Sequence, residues 1–551
     1  MKRLRLYPLS SLAKVFPDEI CGEPFSGGSL LANETFSFQL AYVLDTVPRA
    51  KLDCKLSIES PLRSCISVWR VECVPSEFPA YPNSDGNYLR KTPGLYPDLL
   101  TPLTEDEVEA VPGSCRSLWF SVCPEGKIPA GEYPIRIQLS NQENGISEEI
   151  CLTLRILAER LPEQELKFTQ WFHTDCIAAY YQLPIFSEEH WAWIEKFMRM
   201  AAEHGVNLLL TPLFTPPLDT KFGGERPTVQ LVRVNVSEAG YSFDFSLLDR
   251  WITTAERAGI REFELSHLFT QWGAAHAPKI VAFRGNKAEP ERIFGWDTDA
   301  GGPEYQSFLR CFLPELTRFL RERGIADRCW FHVSDEPGEA ALEDYRRASS
   351  LLAEYLEGFP VIDALSDYAF YEQGLVRIPV AATNAIEPFL EHGVSPLWAY
   401  YCCSQGDQVG NRFFAMPSAR NRILGLQLYR YNIAGFLHWG YNFYFSQYSK
   451  ALIDPFRTTD AEAAFPSGDA FSVYPGRTEA LPSLRLKVFA EALQDLRALR
   501  LLESKLGREA VLELVESEGR VTFAHYPQSE QALLRIRERV NQKLAENPGL
   551  S

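Results

Sequence analysis

The chain has 551 residues, 46% of them hydrophobic and 23% charged, with a formal net charge of −17. That length calls for two or three domains, and the acidic balance leaves no basic footprint for nucleic acid or an anionic membrane as the main partner. The longest apolar runs fall well short of the roughly 20 residues of a spanning helix.

The opening "MKRLRLYPLSSLAKVFPDE" is basic but lacks the apolar segment of a secretory signal. The 12 cysteines are scattered, with no CxxC among them, so a disulfide framework is not expected. Together these features predict a cytoplasmic protein with reduced thiols. There is no HExxH, and the nine histidines do not pair at ligand spacing, so neither a metal nor another cofactor is expected.

Residues 1–160 alternate with period two. "FSFQLAYVL" places Phe36, Phe38, Leu40 and Tyr42 on one face, and "SLWFSVC", "YPIRIQL" and "CLTLRIL" repeat the pattern. Short half-buried strands broken by Gly, Pro and Asn predict an antiparallel β-sandwich. A long loop, "YPNSDGNYLRKTPGLYPDLLTPL" (81–103), interrupts it, and loops of that length tend to be functional or mobile.

After "LPEQEL" (161–166) strands alternate with helices. The strands are "KFTQWFHTD", "VNLLLTP", "REFELSH", "CWFHVSD", "PVIDAL", "IPVAAT", "SPLWAYYCC" and "IAGFLHWGYN". Helices include "SEEHWAWIEKFMRMAAEHG", capped by Ser187 and stopped by Gly205, then "FDFSLLDRWITTAERAG", "PEYQSFLRCFLPELTRFLRERG" and a stretch over 418–430. Eight such units predict an α/β protein whose residues 161–480 form a (β/α)8 TIM-type barrel. Residues 481–551 read as a C-terminal helical extension.

The fourth strand ends in "SDEPG". Catalytic groups of such barrels gather where strands end at their carboxyl side, which places Asp335 and Glu336 on the functional rim. Other strand ends offer Trp171, His173 and Asp175 (first), Ser266 and His267 (third) and Asp363 (fifth). The seventh supplies Trp398, Tyr400 and Tyr401, and the eighth His438, Trp439 and Asn442. Carboxylates among Trp and Tyr suit a sugar: aromatic faces bury its C–H surface, acids bind its hydroxyls, and one acid protonates the leaving oxygen.

Successive strand residues face opposite ways, so both acids enter one cavity only if the strand end is distorted, as the following Pro and Gly allow. Two-carboxylate glycosidases hold their acids about 5–5.5 Å or about 6.5–9.5 Å apart across the scissile bond. Adjacent acids suit the exception, in which the substrate's 2-acetamido oxygen is the nucleophile. One acid then orients the amide while the other serves as acid and base. By placement, Trp439 is the sugar-stacking candidate, and Tyr401 or Tyr400 donates to the acetamido oxygen. Trp398 surrounds its methyl, and Asp363, Asp175, His267 and Asn442 are further substrate ligands. Trp272 and His276 are candidates for the entrance, and His332 for support beneath the pair. A conventional glycosidase pairing Glu336 with Asp363 or Asp175, a non-catalytic carbohydrate-binding protein and a plain exposed DEPG turn are the alternatives.

"HVSDEP" (332–337), "GLYPDLLTPL" (94–103), "AGFLHWGYNFY" (434–444), "GDAFSVYPG" (468–476), "SLRLKVFAEALQDL" (483–496) and "LSSLAKVFPDE" (9–19) resemble, in order, segments of glycoside hydrolase family 123, the β-N-acetylgalactosaminidase group. The resemblance implies a sandwich, a barrel and a helical tail. It further implies exo-removal of β-linked N-acetylhexosamine, with Asp335 polarising the acetamido group and Glu336 as acid/base. An oligosaccharide or glycoconjugate ending in N-acetylhexosamine is then the expected partner, and self-association stays open.

Overall fold

The computed structural model describes residues 4–45, 51–285 and 287–548. Two five-stranded sheets fill the N-terminal region. One runs in the order Leu4–Ser10, Phe36–Leu44, Cys115–Val122, Ile66–Ser76, Gly94–Pro102; the other Gly27–Leu30, Ile146–Ile156, Gly131–Asn141, Leu52–Glu59, Glu107–Ala110. Their facing sides share a core of Phe38, Leu40, Phe120, Ile135, Ile137 and Leu154, with Phe38 and Phe120 stacked at 4.8 Å. Gly27–Leu30 pairs in parallel with Ile146–Ile156, while the other strand ladders of these two sheets are antiparallel. The first sheet is covered on its other side too: Trp119, Tyr96 and Leu100 join the largest core of the molecule, which explains why Phe36–Leu44 is buried almost throughout.

The segment expected as one loop over 81–103 is shorter. Gly94–Pro102 is a strand, paired with Ile66–Ser76. The remaining irregular stretch is tied to the parallel-strand region: Tyr88 donates to Gly406 O (2.6 Å), and Arg420 donates to Asp85 (2.8 Å) and Asn87 O (3.0 Å).

Eight parallel strands follow in the expected order: Lys167–Gln170, Leu208–Thr211, Glu262–Leu265, Cys329–Trp330, Ile362–Leu365, Ile378–Ala382, Trp398–Tyr400 and Gly435–His438. They fall into two sheets rather than one ladder. The first, eighth, seventh, sixth and fifth strands make five; the second, third and fourth make three. The division follows from the fourth strand, only two residues long, whose continuation touches the fifth through a single bridge, Phe331 to Val361. Backbone bonds run along both seams. Phe331 N donates to Pro360 O and Ile362 N to Phe331 O (2.9 Å each), while Asn207 N donates to Phe168 O (3.1 Å). Side chains enclosed by the strands include Trp171, Leu210, Ala364, Ala382, Trp398, Tyr400 and Leu437.

Local sequence sets the helix ends. Ser187 caps Glu188–Glu203 by accepting from His190 N, and Gly205 takes φ +90 just beyond its end, where a side chain would be strained. The helix expected from "FDFSLL" starts only at Ser246. The residues before it form the strand Gly240–Asp244, part of an unexpected four-stranded sheet with Arg233–Ser237, Ile280–Arg284 and Glu291–Phe294. The stretch 418–430 is two short helices, Ala419–Arg422 and Leu424–Arg430. The chain closes with helices Leu484–Leu506, Arg508–Val515 and Glu530–Glu546. A buried ion pair joins the longest of these to the N-terminal sheets: Arg485 binds Asp98 through Nε (2.7 Å) and Nη2 (2.9 Å), and Tyr474 donates to the same carboxylate (2.6 Å).

Candidate active site

The fourth strand breaks at its carboxyl end. Glu336 takes φ +44, a left-handed conformation that costs a non-glycine residue on the order of 1–3 kcal/mol and persists only where surroundings enforce it. The turn cancels strand alternation, so the side chains of Asp335 and Glu336 line one cavity. Two bonds from the loop after the third strand hold the turn: Trp272 N donates to Asp335 O (2.8 Å), and Ser334 Oγ donates to Thr270 O (2.8 Å).

The cavity, about 130 Å3, lies at the carboxyl ends of the parallel strands and opens to solvent. Trp171, Leu437, Trp439 and Phe465 give it an apolar wall; Asp219, Gln271, Tyr400, Cys402 and Cys403 add polar groups and thiols. Trp439 is fixed edgewise against Phe443 and Phe465, and its Nε1 donates to Asp469 Oδ2 (2.9 Å). Trp171 Nε1 donates to buried Glu264 (2.7 Å). Both indoles are therefore held at their polar ends, leaving their carbon surface for a ligand.

Asp335 and Glu336 differ in their partners. Tyr400 Oη donates to Glu336 Oε1 (2.5 Å), and none of the described residues donates to Oε2. Among the described residues, none donates to the Asp335 carboxylate. Burial raises both carboxyls above their ordinary range. The Glu336 charge lifts Asp335 further, while His332 opposes that rise and the Tyr400 hydroxyl restrains Glu336. Two acids so close hold one proton between them over a range in which isolated carboxyls have lost theirs.

Asp219 and Gln271 form a second polar edge. Gln271 Oε1 accepts from Asp219 N (2.8 Å), which fixes the amide and leaves Nε2 without a partner among the described residues. Asp219 Oδ2 accepts from Tyr448 N (2.9 Å), and burial pushes this carboxyl up to about 6.

Of the residues singled out from sequence, the structure brings Asp335, Glu336, Tyr400 and Trp439 to the cavity, with Trp272 at its edge. Trp171, from the end of the first strand, lines it as well; the others are not on its wall. Trp398 lies deeper between the strands, in space a side chain at Gly435 would occupy. Tyr401 alternates away from Tyr400 and packs on Phe436 and His438. Asp175 is buried against Arg226 (2.8 Å), and Asn442 accepts from His173 N (2.8 Å), locking the turn after the first strand. His267 is fully buried and stacked on His332 at 4.1 Å. Asp363 is buried too, and accepts from Val333 N (3.1 Å), His332 (3.2 Å) and the Tyr345 hydroxyl. His276 packs on Phe222 instead. Asp219 and Gln271 were missed; both follow strand ends on the same rim, and that position was the available clue.

His267, His332 and Asp363 bring candidate ligand atoms within 4.8 Å of one another. Both nitrogens of His332 are engaged by carboxylates, Nε2 with Glu264 (2.7 Å) and Nδ1 with Asp363 (3.2 Å). Both nitrogens are thereby committed to a hydrogen-bonded network with carboxyl groups rather than to a shared cation position.

Residues 171–502 match the family model "Glycoside hydrolase 123, catalytic domain". Among solved structures, the family 123 glycoside hydrolase from Clostridium perfringens, studied for glycolipid glycan hydrolysis, is similar over 99% of both chains. Its TM-score is 0.76 at 16% identity, a likeness of fold. β-Glucuronidase 3 of Bacteroides uniformis (TM-score 0.31, 10% identity, 89% of this chain and 52% of that one) and a GH10 xylanase of Thermobacillus composti (0.31, 12%, 60% and 97%) are too distant to add to this. No curated protein matches significantly.

Proposed function

This chain belongs to glycoside hydrolase family 123, and on that premise we propose that it removes terminal β-linked N-acetylhexosamine, N-acetyl-β-D-galactosamine foremost, with retention and through the substrate's own acetamido group. The observation that carries the reading is the pair of adjacent carboxyls on one cavity wall, turned there by the left-handed Glu336.

In this reaction Glu336 Oε2 protonates the glycosidic oxygen as its bond to C1 breaks. The acetamido oxygen attacks C1 and closes an oxazolinium ring. Asp335 accepts the amide N–H and faces the positive charge that develops on it. Amide binding favours the Asp335 anion, so the shared proton collects on Glu336, the group that must donate it. Glu336 then takes a proton from water as the water oxygen opens the ring at C1. Trp439 and Trp171 are the proposed walls around the sugar, with Gln271 and Asp219 as hydroxyl or carbonyl ligands.

Finer points of architecture and setting belong to the same proposal. The eight strands are taken as one closed (β/α)8 barrel over 161–480, a reading supported by the backbone bonds on both seams, with a sandwich domain (1–160) and a helical region (481–551). Twelve unpaired cysteines support a reducing, cytoplasmic setting, which cell fractionation tests. Because the Clostridium relative was studied on glycolipid glycans, a glycolipid-derived glycan is the first natural substrate to try.

A conventional two-carboxylate route has one observation in its favour: Asp219 is a third carboxyl on the cavity wall. Asp363 and Asp175, the partners first considered, are consumed in buried networks. Turnover of chromogenic β-GalNAc, β-GlcNAc and β-galactoside separates the readings. Activity confined to 2-acetamido sugars supports substrate assistance, comparable cleavage of the galactoside favours Asp219, and tight binding without turnover refutes both.

A further inference from the structure

Beneath the cavity, the third, fourth and fifth strands enclose three fully buried ionisable side chains, Glu264, His332 and Asp363. Glu264 Oε1 accepts from Trp171 Nε1 (2.7 Å) and from His332 Nε2 (2.7 Å), and its Oε2 accepts from the Thr169 hydroxyl. Asp363 Oδ1 accepts from Val333 N (3.1 Å) and from His332 Nδ1 (3.2 Å), and its Oδ2 from the Tyr345 hydroxyl. Indole and backbone N–H groups can only donate, so both carboxyl groups present acceptor oxygens to this set. With both carboxyls ionised, the imidazole between them donates from both nitrogens, which makes it an imidazolium.

We propose that His332 is a buried cation that positions the reaction from below, fixing Trp171 through Glu264 and the acid-bearing strand end through Asp363, and supplying the positive charge over which Asp335 stays ionised. The connection is short in the chain: Asp363 holds Val333 N, two residues before Asp335. His332 is a positioning residue; it is absent from the cavity wall.

Its surroundings agree. Burial alone would lower the His332 pKa, but Asp363 and Glu264 outweigh burial and carry it up to about 10. His267, stacked on the same ring, is held neutral, well below its ordinary range, by burial and by the His332 charge. Of the groups that act most strongly on Asp335, Glu336, Asp363 and Glu264 disfavour its anion, and His332 favours it. Glu336 faces Asp335 and Tyr400.

The sign of the effect follows. Replacing His332 by a neutral residue removes the main group opposing protonation of Asp335 among the described residues, so Asp335 holds its proton to higher pH. Activity that needs the anion is then lost on the acid side. In His332→Gln, the acid limb of the kcat/KM profile is expected to move up by about one pH unit or more, a roughly tenfold loss at the foot of the limb that narrows as pH rises. A uniform loss at every pH, with the limb in place, would mean mere packing and overturns the proposal.

The kinetic arm rests on the function proposed above; a second measurement does not. Side-chain 15N spectra of histidine-labelled wild type should show one imidazolium with both nitrogens protonated from pH 6 to 9, absent in His332→Gln. A neutral tautomer for His332 at pH 8, or stoichiometric metal in the purified wild type, overturns the proposal whatever the substrate. An enzyme inert on every N-acetylhexosaminide would overturn only the function, leaving the spectra to decide.

Discussion

Tyr400→Phe isolates the bond that separates the roles of the two acids. Tyr400 Oη lies 2.5 Å from Glu336 Oε1, and this bond favours the ionised carboxylate. A hydrogen bond to a charged partner contributes roughly 1.5–3 kcal/mol. At about 1.4 kcal/mol per pH unit, its loss raises the Glu336 pKa by about one to two units. Glu336 must carry the proton in the first step, so the alkaline limb of kcat should move up by that amount. A weaker acid also transfers its proton more slowly, so kcat at neutral pH should fall about three- to tenfold. The assay is the full pH profile of kcat on an aryl β-N-acetylgalactosaminide, variant against wild type. An alkaline limb that stays in place or moves down refutes the assignment of Glu336 as the proton donor.

Glu336→Gln and Asp335→Asn should each lose about 10²–10⁴-fold or more in kcat. A dinitrophenyl leaving group, which needs no proton, should restore much of the Glu336→Gln rate and little of the Asp335→Asn rate; equal rescue would contradict the division of roles. Gln271→Ala removes an amide whose Nε2 has no partner among the described residues. It should lower kcat/KM about two- to tenfold with an unchanged melting temperature, and unaltered kinetics would take Gln271 out of the site. Asp98→Ala leaves Arg485 buried without its carboxylate. It should cost about 3–5 kcal/mol in chemical denaturation, and a denaturation midpoint at the wild-type value would refute that role.

The parallel strands were legible because runs such as "VNLLLTP" and "IPVAAT" are short, apolar and bounded by turns, and the acid pair because "DEPG" cannot continue a strand. Choosing among the aromatics of "LWAYYCC" required more. Alternation alone separates Tyr400 from Tyr401, but the depth of Trp398 depends on the missing side chain of Gly435, 37 positions on. Asp175 and Asp363 looked like ligands at strand ends, yet each is consumed by a partner that local sequence does not reveal, Arg226 and Tyr345. Asp98, Tyr474 and Arg485, from three of the resemblance motifs, meet in one buried ion pair, and none of the three lines the cavity. Those segments join the N-terminal sheets to the closing helix, while "HVSDEP" and "AGFLHWGYNFY" line the cavity and Asp469 of "GDAFSVYPG" holds Trp439. The four-stranded insertion went unread because its strands, of four or five residues each, sit between stronger helical patterns.

The decisive measurement is a substrate series in which the 2-acetamido group becomes fluoro-, difluoro- and trifluoroacetamido, with one aryl leaving group and product stereochemistry followed by NMR. If the sugar's own carbonyl oxygen performs the displacement, kcat/KM should fall by orders of magnitude as fluorine drains that oxygen of electron density, and the first-formed sugar should be the β-anomer. A rate indifferent to fluorination would contradict the account, because the nucleophile would then belong to the protein.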